Sequence, residues 1–304
     1  MQKRVVVVLL NWNSYEHTSN CIASLQLCVP QYFDIILVDN GSSDNSGLEL
    51  HRQYPFVKYL PSQENRGFAG GNNLGFRYAL AHQYEYVLML NNDVFVESNF
   101  LDDLVNYLDA HPTVGAIQPK IFFNHDRTKL WNGGSYFLSW FGWTYSKKYM
   151  RSESVDQSNF QQVDWITGCA LLTRTSILNE LGLLNERFFI YYEDVDFSFR
   201  LRAAGYTLIF HPRSIIYHIA GMANKTPQKG KEGYVNPYMQ YLNFRNHIWV
   251  LRLWIRWYQW PSSLVTLIVY SLAVMLYFAV RRRWTKLFFV SKGIYHGFFK
   301  QIKE

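Results

Sequence analysis

Cysteine is scarce in this chain: Cys21, Cys28 and Cys169 are the three among 304 residues. An odd number without metal-ligand spacing gives neither a disulfide framework nor a cysteine-based zinc site, and it points to a reducing compartment. No Gly-Lys-Ser/Thr follows the glycine-rich stretch, so a P-loop is absent. A secretory leader is not expected either. The apolar run after Lys3-Arg4 stops at Leu10, and polar Asn11-Trp12-Asn13-Ser14 follows directly. The bulk of the chain is therefore expected in the cytosol.

Acidic residues are nearly missing from the tail. Residues 248–304 hold nine Lys or Arg against Glu304 alone, a balance of +8, whereas residues 1–247 hold 21 bases and 22 acids, a balance of −1. The overall charge of +7 is thus no nucleic-acid signature, because all of it sits in the tail. Charge of either sign is absent over the 19 residues from Ser262 to Val280. As a helix that stretch spans roughly 28 Å, close to the thickness of a bilayer's hydrocarbon core. Trp254, Trp257, Trp260 and Trp284 flank it in the manner of headgroup anchors. A membrane surface is the expected partner, and nucleic acid is not. One full crossing would strand either Arg252 and Arg256 or Arg281 to Lys286 on the wrong side. Helices dipping into one leaflet or lying in the interface avoid this.

What is present reads as an α/β chain with two parts, residues 1–247 and a helical tail, 248–304. Val5–Leu10 and Phe33–Val38 are unbroken aliphatic runs, the pattern of parallel strands buried on both faces, and Ser14–Leu27 between them has helical spacing. In such a βαβ unit the ligand crevice lies at the carboxyl ends of the strands, where Asn11 and Asp39 fall. Further strands are expected at Val57–Leu60, Tyr86–Leu90, Gly115–Ile121, Asp164–Thr173, Thr207–Phe210 and Ser214–Tyr217. Helices are expected at Phe100–Leu108, Thr175–Leu181 and Tyr238–Asn246. Glu64–Gly75 reads as a glycine-dense loop running into a helix from about Asn72 to Gln83; such a loop either admits a ligand to the backbone or is a plain exposed turn. Asn124–Gln162 reads as a long irregular insertion, expected to act as a substrate flap.

Three carboxylates stand out. Glu193, Asp194 and Asp196 follow the aromatic run Phe188-Phe189-Ile190-Tyr191-Tyr192 and open a short helix that Gly205 ends. Acids favour a helix N-terminus in any protein. An aromatic wall also raises a carboxylate's pKa by desolvation, which suits a general base. Asp93 closes Asn91-Asn92-Asp93 at a strand's carboxyl end, a place for a turn former or for a ligand of a phosphate-bridging divalent metal. His218 ends a later strand, either as a structural residue or as a second ligand beside Asp93.

Taken in order, these motifs resemble the family 2 glycosyltransferases of the inverting GT-A type, most closely their rhamnosyltransferase-like branch. The resemblance covers about Val5 to Asn246. It rests on Leu10-Asn-Trp-Asn13, Val38-Asp-Asn-Gly-Ser42, Asn65-x-Gly67 with Asn73 and Gly75, Asn91-Asn-Asp93, Gly168, Glu193-Asp194 and Arg200-Leu-Arg-Ala-Ala-Gly205. It implies a GT-A fold, that is, a Rossmann-like, mostly parallel sheet flanked by helices, and a nucleotide-diphosphate sugar donor, with dTDP-rhamnose as the branch's suggestion. By position, Asn11, Asp39, Asn65, Gly67, Asn73, Asn92 and Asp93 would contact the nucleotide sugar. Asp93 and His218 would hold Mg²⁺ or Mn²⁺, and Asp194 would be the base with Glu193 beside it. Gly168 would let a lipid-linked saccharide acceptor approach at the cytosolic face; Trp165 near it is either a sugar-stacking platform on the acceptor side or, the commoner role of a Trp, core packing, and Arg245 would meet a lipid-linked diphosphate of the acceptor or the diphosphate of the donor. Two positions depart from the pattern: Asn91 replaces the first Asp of the metal motif, and Asn72 stands where many members carry Arg or Lys. A sugar-phosphate nucleotidyltransferase and a non-catalytic nucleotide-sugar-binding subunit are the rival readings. The first lacks a basic glycine loop near the N-terminus, and Asn91 keeps the second open.

Overall fold

Val5–Asn11 carries only aliphatic side chains before its last residue, and it forms a strand in the middle of the sheet with every residue but Leu10 buried. Side chains alternate across a strand. Val5, Val7 and Leu9 join one apolar layer with Ile22, Leu25, Leu104 and Leu108 from helices Tyr15–Gln26 and Phe100–Ala110. Val6 and Val8 join the opposite layer with Phe76, Ala79, Phe197 and Leu201 from helices Gly67–Ala81 and Glu193–Ala203. One sheet between two helical layers is the result.

The computed structural model describes residues 4–28, 32–152, 159–220 and 225–302. They form two compact units: residues 1–136, 146–189 and 193–220 in the first, and 137–145, 190–192 and 221–304 in the second.

In the first unit, Val5–Asn11 pairs in parallel with Phe33–Asp39 on one side and Tyr86–Leu90 on the other, and Phe33–Asp39 pairs in parallel with Lys58–Pro61. Ala170–Arg174 then runs antiparallel to both Tyr86–Leu90 and Val114–Phe123. Thr207–His218 lies parallel to Val114–Phe123. The ten-stranded sheet of the described residues is therefore parallel from Lys58–Pro61 to Tyr86–Leu90 and mixed beyond it.

Several elements differ from expectation. The segment expected as a glycine loop is helical from Gly67 onward. A Cβ on Gly71 would lie 2.4 Å from Leu10 Cδ1, and one on Gly75 would lie 2.4 Å from Val8 Cγ1. These glycines let a helix lie directly on the central strand, which offsets the roughly 1 kcal/mol each costs in helix propensity. The two short strands expected after Tyr206 are one strand, Thr207–His218, whose register shifts between His211 and Ile215 around Pro212. The strand expected at Asp164–Thr173 is confined to Ala170–Arg174, with a turn before it. The insertion contains Leu130–Asn132, Ser135–Leu138, Trp143–Ser146 and Gln161–Gln162 as strands; residues 153–158 of it lie outside the described residues.

The second unit is built on helices Pro237–Trp254, Trp260–Val280 and Trp284–Phe299. Phe244, Phe278 and Val290, one from each, share an apolar cluster, and Ile248, Leu251 and Leu267 form another.

Candidate active site

The carboxyl ends of three adjacent parallel strands gather several of the residues expected to contact a nucleotide sugar. Asn11 and Asp39 are direct register partners. Asn11 donates to Ser42 Oγ at 3.1 Å and Ser46 Oγ at 2.9 Å, and it accepts from Thr18 Oγ1 at 2.8 Å. Asn92 donates to that same Thr18 hydroxyl at 2.7 Å, which ties the Asn91–Asp93 turn to the first strand. Asp39 accepts from the Ser42 N–H at 3.3 Å and the Tyr59 hydroxyl at 3.1 Å.

Asn40, which sequence reasoning did not single out, connects the next group. It is buried, donates to Asn65 Oδ1 and the Gly67 carbonyl, and accepts from the Arg66 N–H. Asn65 in turn accepts from the Gly67 N–H at 2.8 Å. Gly67 has φ +71°, and a Cβ there would lie 2.4 Å from the Phe189 carbonyl oxygen, so this position admits only glycine. Asn73 is placed differently. Its carboxamide accepts from the Leu184 N–H and donates to the Leu184 carbonyl and Glu186, clamping the helix to residues 184–186.

Beyond these, one turn bonds both Asp194 and the Asn91–Asp93 segment. Asp194 Oδ2 accepts from the Gly168 N–H at 2.8 Å, and its Oδ1 accepts from the Val195 N–H at 2.8 Å. The next residue, Cys169, accepts the Asn91 N–H at 2.9 Å. Two residues on, Asp93 Oδ1 lies 2.9 Å from His218 Nε2, both residues buried. The short strand Val94–Val96, unforeseen from sequence, makes this meeting by pairing Val94 with His218. The Trp131 ring stands edge-on to the imidazole at 4.5 Å. Asn91 Nδ2 lies 3.5 Å from the same Nε2, so the departure from the acidic motif sits within the cluster.

Among the described residues no third His, Cys, Asp or Glu joins Asp93 and His218 to make a protein-only metal cage. His218 Nδ1 is buried without a hydrogen-bond partner. One carboxylate oxygen and one imidazole nitrogen at 2.9 Å fit a divalent cation whose remaining ligands are phosphate oxygens and water. Mg²⁺ and Mn²⁺ both fit that donor set.

The two acids at the head of Glu193–Ala203 differ in environment. Glu193 is buried, and its Oε2 has no hydrogen-bond partner. Burial first, then the charges of Asp194 and Asp196, push its carboxyl well above the usual range. Asp194 is partly exposed. Burial raises its pKa, and the N–H groups of Gly168 and Val195 oppose the rise. Asp194 is thus the accessible member of the pair. Asp196 pairs with Arg200 at 3.1 Å, and Arg200 also donates to the Leu181 and Leu183 carbonyls, fixing the helix from behind.

The raised Glu193 carboxyl has a measurable consequence. A carboxyl with a raised folded pKa adds stability below its unfolded pKa and loses it as pH rises through the folded value. Glu193→Gln has no proton to lose, so its thermal midpoint gains on wild type as pH rises from 4 to 8. Leaving a buried polar group unsatisfied costs about 1–3 kcal/mol, and more when it is charged, which corresponds to at least a few degrees. A difference in midpoint that stays constant across that range, read by thermal melts, would sink this account.

Gly168, expected to make room for an acceptor, donates its N–H to Asp194, and a Cβ on it would lie 3.0 Å from Phe68 Cε1. Trp165 is half-buried and donates from Nε1 to the Tyr136 carbonyl at 3.1 Å. Arg245, in the second unit, is buried with its guanidinium 5.2 Å from the Tyr241 ring centre and 4.2 Å from that of Trp249. A cavity of about 650 Å³ lined by Tyr84, Glu85, Tyr86 and Arg174 sits at the other end of strand Tyr86–Leu90 and contains none of these residues.

The family model described as glycosyl transferase family 2 matches residues 6–182. The chain belongs to that family. Among the relatives of this family 2 glycosyltransferase is the N-acetylglucosaminyl-diphospho-decaprenol L-rhamnosyltransferase of Mycobacterium tuberculosis. It is 28% identical over 243 residues, covering 73% of this chain and 78% of the relative. The low-salt glycan biosynthesis hexosyltransferase Agl10 of Haloferax volcanii is 27% identical over 203 residues, 64% of this chain and 61% of its own length. Among solved structures, GalNAc-T7 with UDP, GalNAc and Mn²⁺ aligns with a TM-score of 0.63 at 15% identity over 85% of this chain, which spans about half of that protein (49%). The mannosyltransferase PcManGT of Pyrobaculum calidifontis, with GDP-Man and Mn²⁺, aligns with a TM-score of 0.57 at 14% identity over 98% of this chain and 88% of its own. The fold is GT-A, as the motif order implies.

Proposed function

We propose that this family 2 glycosyltransferase transfers a sugar, with inversion, from a nucleoside diphosphate donor to a hydroxyl of a lipid-linked saccharide at the cytosolic face of a membrane. One observation carries the reading: the turn Thr167–Cys169 holds Asp194 through Gly168 and the Asn91–Asp93 segment through Cys169. A base and a leaving-group site fixed to one short turn suit a single displacement. Asp194 takes the proton of the acceptor hydroxyl, whose oxygen attacks the anomeric carbon as the bond to the diphosphate oxygen breaks. Nucleoside diphosphate departs, and the proton remains on Asp194 until water removes it. Asp93 and His218 would hold a divalent cation, which when bound supplies charge stabilisation to the departing diphosphate. Asn11, Asp39, Asn65 and Gly67 line the nucleotide side, and Trp165 and Arg245 serve the acceptor. dTDP-rhamnose is the donor favoured by likeness to the rhamnosyltransferase relative.

The membrane part of the reading is supported by the second unit. Residues Trp257–Val280 are long and apolar enough to cross a bilayer. Val265, Ile268, Val269, Leu272, Leu276 and Val280 make an exposed apolar stripe along that helix, while Ser263, Leu267, Ser271 and Phe278 on the other side are buried. Trp284, Phe288, Tyr295 and Phe299 make a second exposed stripe on the last helix. A helix covered by protein along one flank suits lying in the interface better than crossing, since crossing would carry Lys286 and Lys292 of its neighbour into hydrocarbon at about 2.5–3.5 kcal/mol each.

The test is a panel of nucleotide sugars read by nucleoside diphosphate release, with a polyprenyl-diphosphate saccharide presented on anionic vesicles. Turnover is expected with one donor, higher on vesicles than with a water-soluble acceptor. Release of pyrophosphate, or no donor turnover with Mn²⁺ and acceptor present, overturns the reading.

A further inference from the structure

The backbone just before the catalytic pair is left-handed at three side-chain-bearing positions, Phe189 (φ 66°), Tyr191 (72°) and Tyr192 (71°). Such a run is disfavoured and persists only where neighbours over-determine it. Asn246 donates from its single Nδ2 to the carbonyls of both Ile190 and Tyr191, each at 2.9 Å. The side chain is fully buried, and its Oδ1 accepts from Arg245 Nε at 2.8 Å, which fixes which end of the carboxamide faces the carbonyls. His247 stacks on the Tyr192 ring at 5.5 Å with planes 6° apart. Two carbonyl oxygens aimed at one point repel unless a group with two N–H bonds sits between them, and a carboxamide nitrogen is such a group.

We infer that Asn246 is a positioning residue for Asp194, because it fixes the left-handed backbone from which Glu193–Ala203 starts and so sets the direction in which the Asp194 side chain leaves the main chain. The inference rests on Asp194 as the base. Glu193 follows Tyr192 directly, so a change in the carbonyl directions at Ile190 and Tyr191 is passed along two peptide units to Asp194. The Gly168 N–H reaches Asp194 Oδ2 at 2.8 Å, and a displaced carboxylate loses that bond first. Losing it raises the carboxylate's pKa as well as misdirecting it.

The experiment uses the full chain on anionic vesicles with the best donor of the panel. Asn246→Ala removes both donors. Asn246→Asp keeps the volume but sets a carboxylate against two carbonyls, and Asn246→Ser, the mildest, keeps one short donor. The expected result is a fall in kcat of about 10- to 100-fold for Ala and Asp, in line with the cost of small misplacements remote from the chemistry. Ser is expected to fall between them and wild type. The donor KM stays within about twofold, as expected for a change confined to the base, and the acidic limb of kcat moves to higher pH. A purely structural role would instead lower the thermal midpoint and leave kcat per folded molecule and its pH limb unchanged, and that result overturns the proposal. Asp194→Asn measured beside them separates the two readings. Full turnover there removes the base itself, whereas an inactive Asp194→Asn with a fully active Asn246→Ser removes the positioning role alone.

Discussion

Asp194→Asn is expected to lower turnover by about 10²- to 10⁴-fold, the usual contribution of a positioned general base, with donor affinity unchanged. The substitution keeps shape, and the amide oxygen still accepts the Gly168 N–H that Asp194 Oδ2 accepts at 2.8 Å, so the turn Thr167–Cys169 has reason to stay in place. What is lost is the lone pair that takes the acceptor's proton. The same assignment fixes the sign of the pH dependence. The base works ionised, and burial raises its pKa against two opposing N–H groups. The acidic limb of kcat/KM therefore lies above the ordinary aspartate value of about 3.9, and activity falls as pH drops through it. Near-normal turnover of Asp194→Asn, or an acidic limb that survives it, would end the assignment.

How much of this was legible in the sequence depended on how local the cause was. Val5–Leu10, Phe33–Val38 and Tyr86–Leu90 announce themselves because a strand buried on both faces must be apolar throughout, and each forms the expected strand within a residue or so. Asp93 and His218 were picked for standing at strand ends, and 2.9 Å now separates their side chains. Gly71 reads as a loop residue in sequence because glycine permits both a turn and a close approach; only Leu10 beneath it decides which. The bond that Gly168 donates to Asp194 is a property of its N–H, which no residue type encodes. Val94–Val96 is three residues long, too short to show a period, and exists because Thr207–His218 lies beside it. Asn246 acts on carbonyls 55 and 56 residues away in the chain, a distance at which spacing carries no information. Local patterning thus reached the strands and the acids, and tertiary contacts decided the rest.

Asp93→Asn is expected to lower kcat by about 10²- to 10³-fold, the size found when one stabiliser of developing charge is removed, and to demand more Mn²⁺ for half-maximal activity. Asn keeps an oxygen able to accept from His218 Nε2, so the buried pair can persist while its negative charge disappears. That charge matters more here than in a site with several acids. Asn91 already contributes none, and among the described residues no further His, Cys, Asp or Glu stands near enough to compensate. Most of the cation's remaining ligands must then come from the donor diphosphate and water, so metal and donor are expected to bind each other's complex more tightly than the free protein. Reciprocal linkage makes this checkable from either side. Mn²⁺ tightens the donor, and the donor tightens Mn²⁺, by the same factor in a calorimetric cycle, with that factor reduced in Asp93→Asn. Metal removal by a chelator abolishes wild-type turnover and Mn²⁺ restores it. Undiminished turnover after exhaustive chelation, or an unchanged Mn²⁺ requirement in Asp93→Asn, would show that the Asp93–His218 pair serves only to tie strand Val94–Val96 to the end of Thr207–His218.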